Sequence, residues 1–215
     1  SNRTYKTGDI LNFTVNYNEA VTVAGGTPYI PITLNTGGPA IAYYVSGGGS
    51  TALVFSYTVS AGNLDTDGIT LSNSITPNGA IIRNNTGANA VLTLNGVPAT
   101  TGIMVDAVIP TISGVTPPTS GTYASGQNLD FTATFTKAVN VVTTGGTPYI
   151  TMTIGGVTKQ AIYVSGSGTT ALVFRYTLAS GDAGAIATGT GITLNSGTIK
   201  DGAGNSATLT FTAPT

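Results

Sequence analysis

The chain repeats itself. The hexapeptide GGTPYI stands at Gly25–Ile30 and again at Gly145–Ile150. Around it, Thr4–Val23 aligns without a gap to Thr122–Val141 at an offset of 118. Tyr44–Gly62 (YVSGGGSTALVFSYTVSAG) aligns to Tyr163–Gly181 (YVSGSGTTALVFRYTLASG) at an offset of 119, and Ile82–Leu94 aligns to Ile199–Phe211 at 117. An offset that drifts by a residue or two is the mark of loops that change length between strands that do not. A period of this size is a domain rather than a solenoid turn, so the 215 residues are expected to fold as two similar units in tandem.

Each repeat has the period of a half-buried strand. Leu11, Phe13 and Val15 alternate with Asn12, Thr14 and Asn16; Leu129, Phe131 and Ala133 repeat the pattern. Ile41, Tyr43 and Val45 alternate, as do Leu53, Phe55 and Tyr57. Short runs of period two between glycine-rich turns predict antiparallel sheet, and no stretch carries a 3.6-residue apolar stripe. Ser-Gly-Gly-Gly-Ser at Ser46–Ser50, between two such runs, predicts a hairpin. About seven to nine short strands per repeat favour an all-β chain of two tandem immunoglobulin-like β-sandwiches over closed barrels. The boundary is expected near Asp106–Pro110, with residues 1–106 as the first repeat and 107–215 as the second. Two full periods would need about 236 residues, twice the offset. The first repeat is therefore expected to lack its first strand, and the second its last.

Composition narrows the function. Forty per cent of the residues are hydrophobic, enough for a core, but only 7% are charged and the net charge is −1. No basic field exists to hold nucleic acid or an anionic membrane. The chain has no cysteine, histidine or tryptophan. Disulfides, thiolate metal sites and the usual general base are excluded together. No run of 18 apolar residues predicts a membrane-inserted helix. Eight carboxylates remain, and they do not recur between repeats: Asp9 aligns with Gln127, Glu19 with Lys137, and Asn12 with Asp130. No motif links Ser to Lys. The expectation is a protein that is not an enzyme.

The best candidate for chemistry is Asn63-Leu-Asp65-Thr-Asp67-Gly68. Its alternating oxygens and closing glycine are those of a calcium loop, but the twelfth position is Ser74 rather than Glu, and no helices flank it. The competing reading is turn chemistry, in which Asn and Asp bond to their own backbone. Lys200–Asn205 (KDGAGN) and Arg83–Asn89 (RNNTGAN) also read as tight turns. Their Lys and Asn raise an intramolecular isopeptide crosslink, which would need a buried Lys, an Asn and an acid in contact. The recurring tyrosines read as core and rim packing, and the alternate threonines of Thr208–Thr215 (TLTFTAPT) as the solvated side of a strand.

Four segments carry a resemblance. Written with x at variable positions, YxxGxxLxFTxxFxxAVxV, GGTPYIxxTIGG, AxYVSGSGTTALxFRYT and GTIKDxAGNxAxLT resemble the bacterial immunoglobulin-like tandem repeats of giant surface adhesins, many of them exported by type I secretion. The resemblance covers nearly the whole chain. The first repeat departs from it at PITLNTGGPAIAYY and at NNTGANA. It implies an extracellular, cell-surface or secreted, non-catalytic extender that holds a distal binding domain away from the cell. It implies neighbouring repeats of the same chain as partners. It also implies calcium (Ca2+) at the interdomain junction, which makes Asp106, at the boundary, a candidate ligand with Asp65, Asp67 and Asn63. The alternative is a carbohydrate- or receptor-binding module. Sandwich edges that pair between molecules would add weak self-association, as in biofilm.

Overall fold

The computed structural model describes residues 2 to 214. Among them there are sixteen strands and no helix, hence no helix long and apolar enough to cross a membrane. The chain is all-β, as its period-two runs predict. It divides into two compact units, Ser1–Val108 and Ile109–Thr215, two residues from the boundary read off the repeat.

In the first unit the strands are β1 (Arg3–Tyr5), β2 (Ile10–Ala24), β3 (Tyr29–Thr33), β4 (Ala40–Ser46), β5 (Ser50–Thr58), β6 (Leu64–Asp65), β7 (Thr70–Leu71), β8 (Ile81–Asn84) and β9 (Ile103–Asp106). They form a six-stranded sheet, β7-β3-β4-β5-β2-β8, and a three-stranded sheet, β1-β9-β6, in which β1 and β9 run parallel. The second unit has β10 (Ile112–Thr116), β11 (Asn128–Val142), β12 (Tyr149–Ile154), β13 (Val157–Ser165), β14 (Thr169–Thr177), β15 (Ile186–Thr193) and β16 (Thr198–Lys200). Its sheet runs β10-β11-β14-β13-β12-β15, and β16 pairs with the far half of β11.

The registers repeat as the sequence does. Phe13 lies opposite Phe55 and Phe131 opposite Phe174. Both phenylalanines of the second pair and Phe55 are fully buried. Each such ring removed from water contributes about 1.5–3 kcal/mol. The long strands β2 and β11 slip register midway, after Asn16 and Thr134, so that their second halves pair instead with β8 and β16.

The predicted hairpin forms as β4–β5 and recurs as β13–β14. Both have a register shift, at Tyr44/Ser46 and Tyr163/Ser165, and a left-handed glycine, Gly47 and Gly166. The hydroxyl of Tyr44 accepts the Gly48 amide at 2.9 Å, and that of Tyr163 accepts the Ser167 amide at 2.9 Å. The two rings meet Phe55 and Phe174 edge-on, at 6.0 and 5.9 Å. One tyrosine thus ties a turn to the core, which explains why it recurs at that place.

The two copies of GGTPYI are also explained by packing. Gly25-Gly26 does more than turn the chain. It lies against the backbone of residues 78–80, and Gly145-Gly146 lies against residues 195–196. Each opposing turn has an asparagine in the left-handed region, Asn78 (φ 48°) or Asn195 (φ 49°). Its side chain donates back to Thr27 O at 2.9 Å or Thr147 O at 3.3 Å. Pro28 and Pro148, without an N–H, use their carbonyls to receive Tyr44 N and Tyr163 N.

Candidate functional site

The four residues predicted to hold calcium all lie in the first unit. The strand β6 pairs antiparallel with β9, Leu64 opposite Asp106 and Asp65 opposite Val105. Directly opposed residues share a face and successive residues alternate. Asp65 and Asp106 therefore point to opposite faces of the ribbon. Asp65 is buried, with Oδ1 accepting the Gly68 amide at 2.7 Å. Asp67 is exposed and accepts Asn35 Nδ2 at 2.9 Å. Asp106 accepts the Val108 amide at 3.2 Å.

Asn63 is the most enclosed of the four. Its Oδ1 accepts the Ser60 amide at 2.7 Å and the Tyr57 hydroxyl, while its Nδ2 donates to Gly37 O at 3.0 Å. Its counterpart in the second unit, 119 residues on, is Asp182. There Oδ2 accepts the Ala179 amide at 2.8 Å and the Tyr176 hydroxyl at 2.7 Å. The same tyrosine and the same turn are held by an amide in one copy and a carboxylate in the other.

A calcium ion takes about six to eight oxygens converging on one point. These four side chains do not converge. Among the described residues no three Asp, Glu, His or Cys come together to hold a metal. The donor set does not fit calcium, and the hydrogen bonds of Asn63 and Asp65 are those of turns. An ion bound only by the native state would raise the melting temperature. The expected result is the same melting temperature in millimolar calcium and in excess chelator; a rise in calcium would show that other oxygens complete a site.

The remaining carboxylates are structural too, and their failure to recur has a cause. They exchange places with their partners. Glu19 on β2 accepts Asn84 Nδ2 at 3.1 Å. At the matching positions Lys137 on β11 donates to Asp201 at 2.8 Å. Asn84 and Asp201 then organise their turns identically, Oδ1 accepting the amides of Thr86 and Ala88 or of Ala203 and Asn205. Asn12 faces Ser56, where the second unit has Asp130 facing Arg175 in a bidentate pair at 2.7 Å. Asp9 receives the Lys6 amide, and Gln127 receives the equivalent Ala124 amide. These paired exchanges escape a reading that aligns one position at a time.

The second unit carries three carboxyls held below their ordinary range. The Lys159 ammonium, then the Tyr176 hydroxyl and the Ala179 amide, bring Asp182 from 3.8 to about 2. Hydrogen bonds from Arg175 lower Asp130. Burial raises Asp201, but the bonds from Lys137 and Asn205 outweigh it and leave it lowered. An ionised Asp201 also opposes amide formation with Lys137, which needs the neutral acid, so this contact is an ion pair. A depressed carboxyl stabilises the fold above its unfolded pKa, and that stability is lost as pH falls through the folded one. The second unit is therefore expected to lose stability between about pH 4 and pH 2, read as a falling denaturant midpoint. Lys159→Met would flatten the Asp182 part of that slope.

One cleft, of about 580 Å3, lies in the first unit between β2 and the segment from Val91 to Thr100. Asn12, Thr14 and Tyr17 line one wall, and Val91, Leu94 and Val97 the other. The Tyr17 hydroxyl is buried there without a hydrogen-bond partner, and burial pushes its pKa up. The position matching Tyr17 in the second unit is Phe135, which is buried. An unpaired buried hydroxyl costs about 1–3 kcal/mol. Tyr17→Phe is therefore expected to stabilise the first unit by about 1 kcal/mol in denaturant titration. A loss instead would mean that the hydroxyl has a partner in solution. No feature of the sequence marks this cleft. Alternate threonines Thr208, Thr210 and Thr212 are exposed.

No family model, curated protein or solved structure matches the chain.

Proposed function

We propose that the chain is a structural extender: two consecutive immunoglobulin-like modules of a bacterial surface adhesin, non-catalytic and extracellular, whose partners are neighbouring repeats. The observation that supports this most is the paired exchange of side chains between the two copies. Glu19–Asn84 becomes Lys137–Asp201, and Asn63 becomes Asp182, with the same backbone groups held each time. Polar residues that vary while their structural bonds persist serve the fold. A catalytic or binding role would demand a fixed chemistry at a fixed place.

The alternative, a carbohydrate- or receptor-binding module, predicts that one repeat holds a ligand through its surface. Binding of the chain to a glycan array decides between them. The extender predicts no signal that free sugar competes away. A competable signal, abolished by substitutions in one repeat, would replace it with the binding module.

A further inference from the structure

The two units differ most at one edge. In the second, β10 pairs with β11, Ile112 opposite Phe135, Val115 opposite Ala133 and Thr116 opposite Thr132. The same segment reaches a second wall. The Thr136 amide donates to Thr111 O at 2.9 Å, the Thr208 amide donates to Pro110 O at 2.9 Å, and Thr111 bridges Thr208 in parallel. The strand β10 is thus wedged between β11 and the segment near Thr208, with Ile112 and Val115 packed on the core.

In the first unit both walls are present and the wedge is not. The matching wall residues are Val15, Tyr17 and Asn18 on β2, and Val91, and all four line the cleft. Among the described residues, β2 pairs with β5 along Ile10–Asn16 and only its end, Val21–Ala24, pairs with β8. The consequence shows in burial. Phe131, Ala133 and Phe135 are 0, 0 and 2% exposed, whereas Phe13, Val15 and Tyr17 are only partly buried. An unpaired strand edge beside apolar side chains is a template for one more strand.

We propose that this cleft is a strand slot, which receives one extended segment with the pattern of β10, donated by a neighbouring repeat, by antiparallel addition to β2. The occupant's chemistry follows from the filled copy: an apolar residue opposite Tyr17, another opposite Val15, and proline ahead of the strand to supply a carbonyl without competing for a donor. That the donor is a neighbouring repeat rests on the extender reading. The slot itself rests only on the comparison of β2 with β11.

The test adds the peptide Ile109–Pro118 (IPTISGVTPP) to the full 215-residue chain. A second arm joins a copy of the same ten residues directly ahead of Ser1, which stands where Thr119 stands at the 118-residue offset. Amide hydrogen exchange of Asn12–Asn18 is the readout. Both arms are expected to slow it at least about tenfold, the peptide saturably. The same additions carrying I112D and V115D are expected to leave it unchanged. If neither arm slows exchange, or the doubly substituted versions slow it equally, the slot is overturned. If the unmodified chain already protects these amides and sediments as a dimer, a second copy is the occupant and the assignment to a neighbouring repeat fails. A glycan that binds elsewhere without protecting Asn12–Asn18 would remove the extender reading and leave the slot standing.

Discussion

Gly26→Ala is expected to destabilise the first unit by about 3 kcal/mol, at the upper end of what forced overpacking costs. A Cβ at Gly26 would stand 2.1 Å from Asn78 O and 2.6 Å from Ala80 N. Both are backbone atoms, so no flexible side chain can yield. The turn that carries them is fixed by its own bonds, Ala80 N to Pro77 O at 2.9 Å and Asn78 Nδ2 to Thr27 O at 2.9 Å. To admit one methyl group, either the turn or the start of β3 must move, and β3 carries the fully buried Ile30. The second unit has the same constraint, with a Cβ at Gly146 standing 1.8 Å from Asn195 O. A thermal melt should lose on the order of 10–20 °C from the transition of the altered unit alone. Gly202→Ala is the control, since nothing lies within 4 Å of its Cβ, and a change within about 0.5 kcal/mol is expected. An unchanged melt for Gly26→Ala would refute the close approach on which the GGTPYI motif is explained.

The second large effect belongs to Asn63. Asn63→Ala leaves the Tyr57 hydroxyl, the Ser60 amide and Gly37 O without their shared partner in a site that is 1% exposed. Buried polar groups left unpaired cost about 1–3 kcal/mol each, and partial access of water reduces the sum. A loss of about 3 kcal/mol is expected, as a lower denaturant midpoint with the slope unchanged. Asn63→Asp should cost less, because a carboxylate can accept from the tyrosine and the turn as Asp182 does, and only the bond to Gly37 O is lost. The order Asn63→Ala worse than Asn63→Asp is the signature of a turn-holding residue. A calcium ligand would behave differently, with Asn63→Asp raising calcium affinity and stability in calcium. That outcome would restore the metal reading of this loop.

The fold was largely legible because strands write a period of two into the sequence and this chain writes it twice. The hairpins around Gly47 and Gly166, the β2/β11 equivalence and the boundary near Asp106 all follow from aligned alternation. The candidate site was not legible in the same way. Asn-x-Asp-x-Asp-Gly is equally good as a cation loop and as a turn, since both need side-chain oxygens near backbone amides. What separates them is the pairing of the two-residue strand β6 with β9, which turns Asp65 and Asp106 to opposite faces, and two residues are too few to show a period. The meaning of the non-recurring acids was hidden for another reason. Glu19 and Asn84 lie 65 residues apart, and only the sheet brings them together. The cleft beside Tyr17 is a difference in tertiary packing between two strands of nearly the same pattern, so no local signal could reveal it.

The central claim is that the chain consists of two equivalent, self-contained β units whose polar residues serve structure. Single-molecule extension from the two ends tests it most directly. Two separate unfolding steps of nearly equal length, roughly 35 nm each from the reach of an extended chain of this size, are predicted, unchanged by chelator. One cooperative step for the whole chain, or a step that disappears when calcium is removed, would contradict it.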